Sequence, residues 1–167
     1  MCKVAIYPGS FDPFTKGHQN VIERGVRVFN QVVVAVAHNA SKKTIFTLEE
    51  RVDLLNKIFR GREDVRVDYF EGLLVEYAKK MGTNTVLRGM RTVSDFEYEL
   101  QMALANKTLS PELETVFMVT DSEYSHISSS VIREVVSLGG SVKHMVPKLV
   151  EVMLKEKLQK GGRDLIR

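Results

Sequence analysis

The run Tyr7-Pro8-Gly9-Ser10-Phe11-Asp12-Pro13-Phe14-Thr15-Lys16-Gly17-His18 places two glycines, a serine, a lysine and a histidine between an apolar strand-like stretch (Val4, Ala5, Ile6) and a helix-like one (Val21, Ile22, Val26, Phe29). A strand that breaks into such a loop and then opens a helix is suited to hold phosphate. The loop turns backbone N–H groups toward the anion, and the helix start adds positive potential. Gly9 and Gly17 mark where the backbone turns tightly or approaches a ligand. His18 falls in the first helical turn, where a ring nitrogen could reach a phosphate oxygen. An ordinary strand–helix connection with a solvent-facing histidine would use similar residues, so the loop alone does not decide its chemistry.

Three more segments carry the same kind of chemistry. Arg88-Gly89-Met90-Arg91 follows the apolar Thr85-Val86-Leu87. Two arginines flanking a glycine make a good anion clamp, because guanidinium is a rigid multi-donor fork; as surface residues they would pair with Asp95 or Glu97 instead. Ser125-His126-Ile127-Ser128-Ser129-Ser130 precedes a helical pattern. One of its serines is explained as an N-cap, and three in succession offer hydroxyls and amides to a phosphate chain. Ser41-Lys42-Lys43 follows the second apolar run and would by itself read as solvated surface. Anion-binding residue types thus recur at four strand ends, where open α/β sheets collect ligands.

The elements that must position these groups can be read from periodicity. Apolar, β-branched runs mark strands at 3–7, 31–38, 64–70, 85–88 and 115–119, and helical patterns fall at 17–29, 47–59, 72–80, 94–109, 128–138 and 147–158. Val32 to Ala37 shows no alternation, as expected of a strand covered on both faces. This order predicts an α/β fold: a doubly wound, five-stranded parallel sheet with C-terminal helices. Thr47-Leu48-Glu49-Glu50 has capping-box spacing, and Gly82 and Gly139-Gly140 read as helix stops. Over 94–109, Phe96, Leu100, Ala103 and Leu104 make one apolar stripe and Tyr98, Met102, Ala105 and Leu109 another. Such a helix needs cover on both sides: a deeply buried site, an apolar substrate part, or a second subunit in a homo-oligomer. No repeat or linker interrupts the chain, so residues 1–160 are expected to form one domain, with 161–167 a basic tail.

Composition narrows the function classes. The 167 residues are 44% hydrophobic and 27% charged, ordinary values for a globular protein. A net charge of +3 is mixed with 21 acidic residues, too little for a nucleic-acid surface. No run approaches a membrane span, and the first residues lead straight into a strand, so a membrane partner is not expected. One cysteine fits a reducing compartment, hence a cytoplasmic address. His18, His38, His126 and His144 have no zinc spacing, and the nucleophile elbow, the P-loop and the dinucleotide fingerprint are all missing. One histidine, several cations and many hydroxyls suit positioning a phosphate chain rather than covalent catalysis.

With Gly17-His18 at the helix start, the first segment resembles the signature of the nucleotidyltransferase superfamily that includes class I aminoacyl-tRNA synthetases. More closely, the chain resembles the bacterial phosphopantetheine adenylyltransferases. The likeness rests on Tyr7 to His18, Ser41-Lys42-Lys43 with Phe46-Thr47-Leu48-Glu49-Glu50-Arg51, Arg88-Gly89-Met90-Arg91, Asp95-Phe96-Glu97-Tyr98-Glu99 and Ile127-Ser128-Ser129-Ser130, and spans residues 4 to about 135. It implies a Rossmann-like nucleotidyltransferase fold and transfer of AMP from ATP to 4′-phosphopantetheine, giving dephospho-coenzyme A and pyrophosphate. It further implies that Ser10, Phe11, His18, Gly89, Met90, Arg91, Glu99, Tyr124, Ser125, His126, Ile127, Ser128, Ser129 and Ser130 hold ATP. Ser10, Lys42, Leu74 and Arg88 would hold phosphopantetheine, and His18, Lys42 and Arg91 would act on the transition state. Magnesium would be held by the phosphates with no direct protein ligand, and the assembly would be a hexamer. Ser10 stands where many members have threonine, and Tyr124 and His126 where larger aromatics are common. Transfer to another phosphate acceptor, such as nicotinamide mononucleotide or glycerol phosphate, and a non-catalytic nucleotide-binding subunit are the competing readings. Lys42 and Arg88, with apolar Leu73-Leu74 and Met102, favour a phosphate on a flexible arm.

Overall fold

A computed structural model describes residues 3–39 and 43–161, the last four as backbone only. Ser41, Lys42 and the tail beyond Gly161 lie outside the described residues. The strands are β1 (Val4–Gly9), β2 (Gln31–His38), β3 (Val65–Glu71), β4 (Thr85–Met90) and β5 (Glu114–Val119). They pair in the order β3-β2-β1-β4-β5, every pair parallel. The helices are α1 (Lys16–Gly25), α2 (Leu48–Ile58), α3 (Leu74–Lys80), α4 (Val93–Leu109), α5 (Ser129–Ser137) and α6 (Lys148–Gly161), with a 3₁₀ turn at Ser122–Tyr124.

The pleat sorts β2 between two cores. Val32, Val34 and Val36 join the larger one under α1, α2, α5 and α6, while Val33 and Ala35 join Ile6 and Val86 beneath α3. This is why the run from Val32 shows no alternation: both faces of the strand are covered. From β1 the chain winds outward to β2 and β3, then returns to β4 on the other side. The sheet therefore has a switch point between β1 and β4, and the loops after those two strands open into the crevice there.

Local signals fix the helix ends. Thr47 and Glu50 form the reciprocal capping box, with the Glu50 N–H donating to Thr47 Oγ1 and the Thr47 N–H to Glu50 Oε2 at 2.8 Å. Gly82 and Gly139 take left-handed φ values of 66° and 80° just beyond α3 and α5. At each, the next residue's N–H reaches back to the carbonyl five positions earlier, Thr83 to Ala78 and Gly140 to Val135, closing the last turn. α1 stops at Gly25 although apolar spacing continues to Phe29. Phe29 is buried in the core at the end of a turn, so its period is that of packing rather than of helix.

A buried polar hub joins the loops after β1 and β2. Asp12 is 2% exposed and accepts the N–H groups of Ile45 and Phe46 at 2.9 and 3.0 Å. Arg51, equally buried, donates to the Ser10 carbonyl at 2.8 Å, and Arg133 donates to the Asp12 carbonyl at 2.6 Å. Replacing Asp12 by alanine strands two buried amides and removes the carboxylate facing Arg51. The expected cost is about 3 kcal/mol, read as a lower urea midpoint at unchanged m-value.

Candidate active site

The loop after β1 is built to hold His18. Phe11 sits at φ 48°, a left-handed value uncommon for a non-glycine residue, with its ring 1% exposed. The turn expected at Gly9 and Gly17 is made instead by Phe11, and neither glycine has a positive φ. Gly9 is required for close approach, since a Cβ there would lie 2.9 Å from the Phe11 ring. The rings of Phe11 and Phe14 then flank His18, at centroid distances of 5.1 and 5.7 Å.

Thr15 caps α1 in a reciprocal box: the His18 N–H donates to Thr15 Oγ1, and the Thr15 N–H donates to His18 Nδ1, both at 3.1 Å. With Nδ1 an acceptor, the ring proton of neutral His18 sits on Nε2. Burial, then the nearby charges of Arg91 and Arg88, lower the His18 pKa from 6.5 to about 3. The side chain is thus a neutral, oriented N–H donor on the wall of a cavity of about 290 Å³.

Arg88 and Arg91 emerge from β4 into the same crevice, each aimed by a carboxylate. Arg88 Nε donates to Glu99 Oε2 at 2.6 Å, Nη2 to Glu99 Oε1 at 2.5 Å, and Nη1 to the Pro8 carbonyl at 2.6 Å. Burial opposes the charge of Arg88, and the Glu99 carboxylate more than offsets it, holding the guanidinium above its ordinary pKa. Arg91 Nε and Nη2 donate to Asp95 at 2.9 and 3.0 Å, and Nη1 to the Ile127 carbonyl at 2.7 Å. A guanidinium has five N–H bonds, so each arginine keeps two for a ligand. The surface pairing weighed for these arginines is half present: Asp95 does take Arg91, but Glu99 rather than Glu97 takes Arg88, and both cations still face the cavity.

The serine run has divided roles. Ser128 is the N-cap of α5, accepting the Val131 N–H at 3.1 Å. Ser129 spends its hydroxyl proton on the Pro13 carbonyl at 2.9 Å, and Ser130 accepts from Arg133 at 3.1 Å. Ser128 and Ser130 act as acceptors in these bonds and keep their hydroxyl protons for an anion, and the first amides of α5, at Ser129 and Ser130, have no intrahelical acceptor and border the cavity.

A second cavity of about 790 Å³ lies beyond the first, walled by Leu73, Leu74, Phe70, Met102 and Ala103, with Asn106, Tyr98 and His38 for polar contacts. Pro8, Gly9, Ser10, Arg88 and Glu99 border both cavities. The first is lined with amides, arginines and hydroxyls, the second with apolar side chains.

Ser10, Phe11, His18, Arg88, Gly89, Arg91, Glu99, Ile127, Ser128, Ser129 and Ser130 therefore converge on the first cavity and Leu74 on the second. Met90, Tyr124, Ser125 and His126 are on neither wall; the Met90 carbonyl accepts from Thr120, and His126 is exposed. Lys42 is outside the described residues. Sequence reasoning missed Thr120 and the role of Glu99 as the partner that aims Arg88, and it weighed Asp95 only as a surface partner that would take an arginine away from an anion. Their positions four and eleven residues after Arg91 and Arg88 were the available signal, since the turn into α4 brings that helix's first face over the end of β4.

A cytidylyltransferase-like family model matches residues 6–135. The chain is 51% identical over 160 residues to the phosphopantetheine adenylyltransferase of Desulforudis audaxviator, covering 96% of this chain and 98% of that protein. Against the protein of the same name from Caldanaerobacter subterraneus, identity is 48% over 159 residues, or 95% and 99% of the two chains. The Carboxydothermus hydrogenoformans phosphopantetheine adenylyltransferase matches at 49% over 160 residues, 96% and 99%.

Proposed function

The chain belongs to the cytidylyltransferase-like family and, within it, to the phosphopantetheine adenylyltransferases, and from that premise we propose how its site moves AMP from ATP to 4′-phosphopantetheine, releasing pyrophosphate and dephospho-coenzyme A. One observation carries the proposal: a cation-lined cavity and an apolar one meet at Ser10 and Arg88. ATP occupies the first and the pantetheine arm the second, with Leu74 against the arm, so the acceptor phosphate arrives at the shared wall beside the α-phosphorus.

The acceptor phosphate is already a nucleophile at neutral pH, and no general base is needed. The barrier lies in bringing two anions together in line and in stabilising charge at the α-phosphorus. Arg88 seats the acceptor phosphate, joined by Lys42 through its place in the family pattern. Arg91 and the amides of Ser129 and Ser130 hold the triphosphate, and His18 Nε2–H bonds the oxygens whose charge grows. The acceptor oxygen forms the new P–O bond as the bond to pyrophosphate breaks. Tyr124, Ser125, His126 and Met90 complete the nucleotide end by the same family pattern.

Magnesium is proposed as the cofactor. Among the described residues no group of three or more His, Cys, Asp or Glu side chains could hold a metal, and Asp95 and Glu99 are both bound to arginines. The ion would therefore enter on the triphosphate and neutralise its oxygens. Among the described residues no helix is long and apolar enough to cross a membrane, and with the single cysteine we propose a cytoplasmic enzyme whose residues 1–160 form one catalytic domain.

No residue of α4 is buried, so the deep-burial explanation of its two stripes is set aside. Val93 is 77% exposed, and Leu104 and Leu109 are each 59% exposed. We propose that a second copy covers this helix, in a hexamer as the family resemblance implies. Leu104→Glu should convert the assembly to smaller species in sedimentation velocity at micromolar concentration, whereas a monomeric wild-type profile would refute it.

The activity is tested by pyrophosphate release from ATP with phosphopantetheine, nicotinamide mononucleotide or glycerol phosphate as acceptor. Release is expected with the first alone; release with another acceptor or with none contradicts the reading.

A further inference from the structure

Tyr7 lies on β1 at the wall of the nucleotide cavity and outside the second cavity. Its side chain is held firmly: the residue is 5% exposed, and its ring meets Phe11 edge-on at 5.6 Å and His18 at 6.4 Å. The phenol oxygen is located by its neighbour on β4, since a Cβ placed on Gly89 would lie 3.4 Å from it. The hydroxyl therefore stands over the glycine between Arg88 and Arg91, and the charges of Arg88, Glu99 and Arg91 all act on it.

Among the described residues this hydroxyl has no hydrogen-bond partner. The fully buried side-chain atom left unsatisfied among them is His38 Nδ1, so the Tyr7 hydroxyl is not sealed inside the protein. The space it reaches is the cavity it lines. A phenol placed at such depth without a partner forfeits its hydrogen bond unless a ligand supplies the acceptor. Burial raises the Tyr7 pKa well above its usual value, against the pull of Arg88 and Arg91, so the group remains an O–H donor.

We propose that the Tyr7 hydroxyl donates a hydrogen bond to a non-bridging oxygen of the triphosphate chain beside His18, adding a neutral donor between two cations where the acceptor phosphate arrives. This rests on the adenylyl-transfer reading of the site. The two arginines, aimed by Glu99 and Asp95, each keep two N–H bonds that several oxygens can share, whereas a phenol on a central strand brings one O–H donor to one place. The donor is set by the sheet itself rather than by a loop.

The test is Tyr7→Phe, which keeps the ring and its packing and removes the oxygen alone. With wild type assayed in parallel, kcat should fall about 10- to 100-fold, with KM for phosphopantetheine within about twofold and a melting temperature within about 2 °C of wild type. A kcat unchanged to within about twofold overturns the proposal, because a lost preorganised donor costs more. A loss seen only in KM for phosphopantetheine, or one that accompanies a large drop in melting temperature, overturns it as well. If the wild-type chain releases no pyrophosphate, the reading beneath the proposal falls first and takes the proposal with it. That failure is distinct from an active wild type with an equally active variant.

Discussion

Replacing His18 by alanine is expected to lower kcat by about 10²- to 10³-fold with little change in KM for ATP. The reason is in the capping box. Thr15 takes Nδ1 and so commits the single proton of the neutral ring to Nε2, while Phe11 and Phe14 leave the ring little room to turn. A donor fixed in this way needs no reorganisation as charge develops, which is where such groups exert their effect. Because burial and the two arginines hold the His18 pKa at about 3, its titration should leave kcat level from about pH 5 to 8. The sign for stability is also set. In the unfolded chain the imidazole takes a proton below its ordinary 6.5, and the folded site does not, so this group makes the protein less stable as pH falls from 6.5 toward 3. An unchanged kcat in the alanine variant, measured at saturating ATP and phosphopantetheine, would remove His18 from the reaction.

Arg88→Ala should be at least as damaging, but in a different parameter. The arginine borders both cavities and is the partner of Glu99, whose side chain is 12% exposed. Removing it takes away the cation proposed for the acceptor and leaves a largely buried carboxylate unpaired where the acceptor phosphate is proposed to dock. The expected loss is about 10³-fold in kcat/KM for phosphopantetheine, with ATP binding much less affected. Part of that loss comes from the carboxylate itself. The double variant Arg88→Ala/Glu99→Gln should therefore recover about tenfold over the single one. If the double variant is no better, Glu99 is not the partner that the geometry makes it.

Much of the architecture was legible because its signals are local. The boundaries of β2, from Gln31 to His38, followed from an apolar run too short for a helix and covered on both faces, and the α2 start followed from Thr47 and Glu50. Four strand ends with anion-binding residues pointed to one rim, and the switch point between β1 and β4 brings three of them into one crevice; at the fourth, Ser41 and Lys42 lie outside the described residues. Pairings across the fold were less legible. Nothing local to Ser129 announces that its hydroxyl is spent on Pro13, 116 positions away. The partition of α4 also depended on tertiary context: its two stripes read equally as burial or as an interface until its exposure was known. The bend in the first loop went to Phe11 rather than to a glycine because packing of its ring outweighs the backbone preference.

The proposed placement of ATP in the first cavity and the pantetheine arm in the second predicts which bond breaks. ATP labelled in the α-phosphate should pass its label into dephospho-coenzyme A while label in the γ-phosphate leaves as pyrophosphate, in a single turnover with phosphopantetheine. Transfer of the γ-label to the acceptor, or no transfer of either, would contradict an acceptor phosphate seated at Arg88 in line with the α-phosphorus.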